Sequence, residues 1–176
     1  MSKVLNDSKQ EMRQRARQSV EKGAVTDTYS LDVKEVIRRL NEALATELVC
    51  VLRYRRHYFM AQGIDSQPIA DEFLQHSNEE LGHADALAKR IKQLGGEPNF
   101  NPDTLTSLSH AEYVEGLDLE EMIRENVVAE RIAIDSYRQL IDWIGAADST
   151  TRRVIEDILE VEEEHADELA DLLPSA

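Results

Sequence analysis

Glu47, Glu80, His83, Glu130, Glu162 and His165 fall inside stretches whose other members are mostly apolar and recur at alternating spacings of three and four. Each therefore stands where a buried helical stripe would carry Leu or Ile. Taking a carboxylate out of water costs several kcal/mol even after relaxation, so four of them facing one core would shift to higher pKa or break the site unless cations are present. Two divalent cations balance four negative charges. Residues three apart share one face of a helix, so Glu80-x-x-His83 and Glu162-x-x-His165 can each present an oxygen and a nitrogen to a metal. Glu47 and Glu130 then come from two other helices. Oxygen and imidazole donors suit Fe(II), Mn(II) or Zn(II), and a two-metal carboxylate site in a helical bundle is a setting for dioxygen or peroxide chemistry.

A single Glu-x-x-His is a weak signal, but the spacing of the set is strong. Glu47 precedes Glu80 by 33 residues and Glu130 precedes Glu162 by 32, so the two halves repeat with an offset of 82 to 83. The repeat extends to Tyr54 and Tyr137, each seven residues after its glutamate, and to HADALA (83–88) against HADELA (165–170). A pseudo-two-fold bundle around a symmetric two-metal centre is expected. A polar network without metal would leave four carboxylates sharing two imidazoles.

Four helices must position these groups. The first stripe runs from Ile37 through Glu47 to Tyr58, with Gly63 placed to end it, and the second from Ile69 through Glu80 and His83 to Leu87, stopped by Gly95 and Gly96. The third runs from Leu119 through Glu130 to Ile144, opened by Asp118 with Glu121 in capping-box spacing and closed by Gly145. The fourth starts near Asp148 or Ser149 and runs from Ile155 through Glu162 and His165 to Leu172. Short connections at 63–67 and 145–149 make antiparallel hairpins, and residues 95–117 are long enough to cross the length of a bundle, with one or two helical turns expected over Ser109 to Glu115. The fold class is all-α, a four-helix bundle over residues 31–176 with a polar extension over residues 1–30.

The chain of 176 residues carries 20 Lys and Arg against 35 Asp and Glu, a net charge of −15, which disfavours nucleic acid and anionic membrane surfaces. Residues 1–22 hold six basic and three acidic side chains, leaving −18 for the remainder. This weakly basic stretch reads as a solvated, partly helical extension rather than as an arm for DNA or a neighbouring subunit. The single cysteine, Cys50, excludes an internal disulfide and any CxxC metal knuckle, and no run reaches the roughly 18 apolar residues of a membrane span. A cytoplasmic protein is expected.

Residues 31–172 resemble the bacterioferritin and Dps-like branch of the ferritin superfamily, on the strength of Glu47, the pair Glu80 and His83, Glu130, and the pair Glu162 and His165. The resemblance implies a ferritin-like bundle with ferroxidase activity: two Fe(II) ions bind, peroxide or dioxygen oxidises them, and ferric mineral collects inside a homo-oligomeric cage. It implies that Glu80 and Glu162 bridge the two ions while Glu47 and Glu130 bind one each. Tyr54 matches the family's tyrosine two turns after the first glutamate, an electron donor by resemblance and a core residue by its stripe position alone.

Departures from bacterioferritin sharpen the expectation. The family's haem-ligating methionine follows the first Glu-x-x-His glutamate directly, where this chain has Leu81, so haem is not expected at the usual site. The chain ends eleven residues after His165, without the family's fifth helix, which favours a dodecamer over a 24-subunit cage. The ligand pattern of typical Dps proteins, whose sites lie between subunits, is not found, nor is the cysteine pair of archaeal-type members. Cys50, one turn from Glu47, reads as a small core residue within reach of the site. His76, one turn before Glu80, is a group behind the ligands, a gate, or a hydrogen-bonded core residue, while His57 and His110 read as surface or interface residues. The competing enzyme reading is a di-iron or di-manganese peroxidase or oxidase that stores no mineral; the absence of CxxC counts against a rubrerythrin-like form.

Overall fold

The computed structural model describes residues 8–63 and 66–174, and among them there are six α-helices and no strand. Residues 1–7 of the polar extension, and residues 64–65 of the 63–67 connection, lie outside the described residues. Helices α2 (Val33–Met60) and α3 (Ser66–Gln93) form one hairpin, and α5 (Leu119–Ile144) and α6 (Ser149–Asp171) the other. Before them stands α1 (Lys9–Ala16), and α4 (Pro102–Leu108) lies in the crossover. No described helix is long and apolar enough to cross a membrane.

The ends of the helices follow from local chemistry. Asp32 caps α2 by accepting from Lys34 N at 2.9 Å, Asp118 caps α5 by accepting from Glu121 N at 2.9 Å, and Asp148 caps α6 by accepting from Thr151 N at 2.9 Å. Helix α3 closes in a Schellman motif: Gly96 N donates to Ile91 O and Gly95 N to Lys92 O, with Gly95 at φ +81°. Gly96 is also a point of close approach, where a Cβ would meet Ile37 Cδ1 at 2.8 Å.

Two apolar clusters fill the bundle. One, with Leu40, Leu44, Leu87, Ile91, Leu140, Ile144, Ile155 and Ile158, occupies the end where α2 begins; the other, with Cys50, Tyr54, Phe73, Met122, Ile123 and Leu169, occupies the opposite end. Burying each Leu or Ile contributes roughly 1.5–3 kcal/mol. The four glutamates and two histidines lie between these clusters, on α2, α3, α5 and α6.

The crossover differs from expectation. Its helix is Pro102–Leu108, not Ser109 to Glu115. Asn101 accepts from Asp103 N and Pro102 opens the first turn, which nucleates the helix early. The following residues stay extended because side chains of α2 take their carbonyls: Arg53 Nη1 donates to Glu112 O at 3.3 Å, while Arg56 Nη1 (2.6 Å) and His57 Nε2 (3.0 Å) donate to Glu115 O. His57 is thus fully buried rather than a surface residue, and His110 is exposed, its backbone N donating to Thr46 Oγ1.

Helix α1 buries no residue, and Val25, Tyr29 and Leu31 pack on the main core. Tyr29 donates to Asp148 Oδ2 at 2.7 Å, and the same carboxylate pairs with Arg90 at 3.0 Å in buried surroundings.

Candidate metal centre

All six residues selected by spacing converge. Glu47 comes from α2, Glu80 and His83 from α3, Glu130 from α5, and Glu162 and His165 from α6, and every one except His83 is at most 1% exposed. They fall into two overlapping groups of ligand atoms, each within 4.8 Å: Glu47, Glu80, His83 and Glu162, and Glu80, Glu130, Glu162 and His165. Glu80 and Glu162 belong to both. Each group therefore offers three carboxylates and one imidazole, with two carboxylates placed to be shared.

His83 Nδ1 faces Glu162 Oε1 at 2.9 Å, Glu47 Oε2 at 3.2 Å and Glu80 Oε2 at 3.4 Å, and only the Glu47 contact is aligned as a hydrogen bond. His165 Nδ1 lies 3.6 Å from Glu80 Oε1, while its Nε2 contacts Glu79 Oε2 at 2.8 Å. A carboxylate behind an imidazole sets which nitrogen carries the hydrogen and turns the other toward the centre.

Among the described residues six buried polar side-chain atoms lack a hydrogen-bond partner, and five of them belong to residues of these two groups: Glu80 Oε1 and Oε2, Glu130 Oε2, Glu162 Oε1 and His165 Nδ1. Leaving a buried acceptor unsatisfied costs roughly 1–3 kcal/mol each, so the donor set fits cations and fits little else. The electrostatics agree. Burial pushes Glu47 and Glu162 well above the ordinary carboxylic range, and the charge of Glu80 adds to it. Burial opposes a charge on His165, but Glu80 and Glu130 outweigh it and hold its pKa at about 9. Protons gather where positive charge is lacking.

Tyr54 is fully buried and donates its hydroxyl hydrogen to Glu130 Oε1. Its counterpart in the repeat, Tyr137, is equally buried, but its hydroxyl is the sixth unpartnered atom. Behind Tyr54 lies a buried polar chain absent from the sequence reading. Arg53 Nε donates to Asn126 Oδ1 at 2.8 Å, and Asn126 Nδ2 donates to His57 Nδ1 at 3.0 Å. Arg53 Nη2 meets Cys50 Sγ at 3.4 Å, so the thiol is occupied within the core, and burial pushes its pKa up. Because Glu115 O can only accept, His57 carries its hydrogen on Nε2 and is neutral; burial and the Arg53 charge lower its pKa to about 4.

Glu79, Arg53 and Asn126 were missed by sequence reasoning. Glu79 carries a usable signal, since it directly precedes a ligand-type glutamate; Arg53 and Asn126 lie beside stripe positions and carry none. A cleft of about 280 Å³ between α3 and α6, lined in part by Glu79, His83, Glu164, His165 and Glu168, reaches the ligands from one side. On the other side a cleft of about 330 Å³ between α2 and α5 is lined in part by Glu42, His110, Asp135 and Tyr137.

The family model described as a ferritin-like domain matches residues 37–175. The bacterioferritin of Streptomyces coelicolor is 34% identical over 136 residues, covering 77% of this chain and 77% of that protein. A solved dodecameric thioferritin, the bacterioferritin-related protein from Bacteroides fragilis, superposes with a TM-score of 0.77 at 33% identity, covering 80% of this chain and 85% of its own. Dps from Thermosynechococcus elongatus shares the fold at a TM-score of 0.77 and 21% identity, covering 81% of this chain and 92% of its own.

Proposed function

The chain belongs to the ferritin-like family, and from that premise we propose that it stores and detoxifies iron, oxidising Fe(II) with peroxide or dioxygen and depositing ferric mineral inside a homo-oligomeric cage. The observation that carries the reading is that five buried ligand atoms without a hydrogen-bond partner fall into two adjoining groups of ligand atoms between two apolar plugs. Two iron ions are the substrate there. Glu47, Glu80, His83 and Glu162 would hold one ion, and Glu80, Glu130, Glu162 and His165 the other. Bound in this way, iron supplies the electrons that reduce the oxidant.

The protein's own groups orient and insulate this site. Glu79 holds the His165 ring so that Nδ1 faces inward, and Tyr54 fixes the Glu130 carboxylate through its hydroxyl. Its short path to a ligand suits it as an electron donor. The apolar clusters above and below exclude bulk water, which strengthens every charge interaction between them. The mineral-storing cage rests on relatives: bacterioferritins at about a third identity and a Bacteroides fragilis neighbour that is a dodecamer. A dodecamer is therefore the expected assembly.

The decisive experiment combines the mass of the native particle with anaerobic Fe(II) titration followed by peroxide. A rapid ferric absorbance saturating near two irons per subunit, abolished in Glu80→Ala and His83→Ala, is expected, followed by slower uptake of many more irons per particle. Unchanged fast kinetics in those variants would overturn the site; a native monomer or dimer would overturn storage and leave a non-storing di-iron or di-manganese oxidase or peroxidase.

A further inference from the structure

His76 is fully buried on α3, one turn before Glu80, and its two ring nitrogens face different neighbours. Nδ1 lies 3.4 Å from the hydroxyl of Tyr54. Nε2 lies 3.0 Å from Glu168 Oε2 on α6 and 3.3 Å from Glu72 Oε1, one turn earlier on α3. The ring is held by stacking on His165, with centroids 3.9 Å apart and planes 20° from parallel, and it meets Tyr54 edge-on.

Hydrogen bookkeeping sets the tautomer. Tyr54 has given its only hydroxyl hydrogen to Glu130, so its oxygen can only accept from His76. Nδ1 then carries a hydrogen, and in the neutral ring the lone pair of Nε2 points between two carboxylates. Three acceptors converge on one point, with their ligand atoms within 4.8 Å of one another. Such a triad calls for a positive occupant, either a proton on Nε2 or a metal ion.

We propose that Glu72, His76 and Glu168 form a third cation site in each subunit, taking one divalent transition metal ion through one nitrogen and two carboxylate oxygens. The Glu72 and Glu168 side chains are 31% and 41% exposed, so water completes the coordination and ions exchange with solvent. One imidazole with two carboxylates suits Fe(II), Mn(II), Co(II) or Zn(II). The site binds more weakly than the buried centre, whose two ligand groups each offer three carboxylates, all at most 1% exposed. Its position suits a waiting place for Fe(II): Glu168 also lines the cleft that leads between α3 and α6 to His83 and His165. A metal on Nε2 keeps the hydrogen on Nδ1 and so ties the third site to the bond from His76 to Tyr54, and through Tyr54 to Glu130. The site is built from residues outside the six-ligand centre and stands whether or not that centre oxidises iron.

Equilibrium titration of the full chain with Co(II) under anaerobic conditions, read by visible absorption and calorimetry, tests it. Two tight equivalents and one weaker equivalent per subunit are expected. In the double variant Glu72→Gln, Glu168→Gln, which changes only half-exposed side chains, the weak equivalent falls in affinity at least tenfold while the tight pair persists. In Glu80→Ala, Glu162→Ala the weak equivalent persists while the pair is lost; if that variant fails to fold, Zn(II) preloaded on the native pair gives the same separation. A native chain that binds two equivalents only, or a weak equivalent indifferent to Glu72→Gln, Glu168→Gln, overturns the proposal.

Discussion

Tyr54 reaches from α2 to α5 and donates its hydroxyl hydrogen to Glu130, whereas Tyr137, which occupies the same place in the second half of the repeat, has no hydrogen-bond partner among the described residues. The pseudo-symmetry of the backbone is thus broken at the level of one hydrogen.

That difference separates two conservative substitutions. Tyr54→Phe frees the Glu130 carboxylate from a bond to a charged acceptor worth about 1.5–3 kcal/mol, and iron oxidation is expected to slow on the order of tenfold. Tyr137→Phe removes a buried hydroxyl without a partner among the described residues, so stability is expected to hold or rise by about 1 kcal/mol with oxidation unchanged. Denaturant unfolding and stopped-flow absorbance check the pair; equal losses in both variants would contradict the asymmetry.

Glu79 acts through His165. Removing it as Glu79→Ala leaves the imidazole free to rotate and to change tautomer, and metal affinity at that half of the centre is expected to fall about 10- to 100-fold. Within the tight pair, anaerobic Co(II) binding should then resolve one equivalent close to native affinity and one weakened. Equal affinities would mean that the 2.8 Å contact does not orient the ring.

His57 predicts a pH dependence of stability. Its pKa drops from 6.5 unfolded to about 4 folded, because it is buried and faces Arg53. Between those values the unfolded chain binds the proton and the folded one does not, so stability falls as pH falls through this window, at most about 1.4 kcal/mol per pH unit. Above pH 6.5 the group contributes no slope. Comparing native protein with His57→Gln by denaturant unfolding at pH 7 and pH 5 isolates the effect, and parallel losses in both would refute it.

Asp148 joins three parts of the chain: it caps α6, pairs with buried Arg90 from α3 and accepts from Tyr29 in the extension. Asp148→Ala strands the Arg90 charge, and a loss of about 3 kcal/mol or more is expected. Despite burial, bonds from Thr151, Tyr29 and Arg90 lower the carboxyl from 3.8 to about 2, so its contribution is complete above pH 4 and fades as pH falls toward 2. Thermal unfolding at neutral pH measures the loss; a change within a few tenths of a kcal/mol would show that solvent screens the pair.

Legibility in the sequence followed the range of the interactions. The four long helices, the caps Asp118 and Asp148 and the Gly95–Gly96 stop depend on residues within a turn of one another, and the apolar stripes stand out. The glutamates and histidines were visible because a charge on an apolar stripe is an exception that periodicity exposes. The crossover was misread because what keeps Ser109 to Glu115 extended is Arg53, Arg56 and His57, more than fifty residues earlier. His57 was misplaced for the same reason: its partners, Glu115 and Asn126, lie 58 and 69 residues away.

By itself the sequence determined an all-α bundle of two repeated hairpins and the six side chains that face its middle, because helical period and repeat offset are properties of the order of residues. Only the tertiary structure decided which carboxylates belong to both groups of ligand atoms, which nitrogen of each histidine turns inward, and that His76 gathers Glu72 and Glu168 around a point of its own. Those outcomes depend on the rotation of each helix about its axis and on rotamers chosen by neighbours across the bundle. No local pattern encodes them, since a turn of a few tens of degrees would exchange one ligand partner for another.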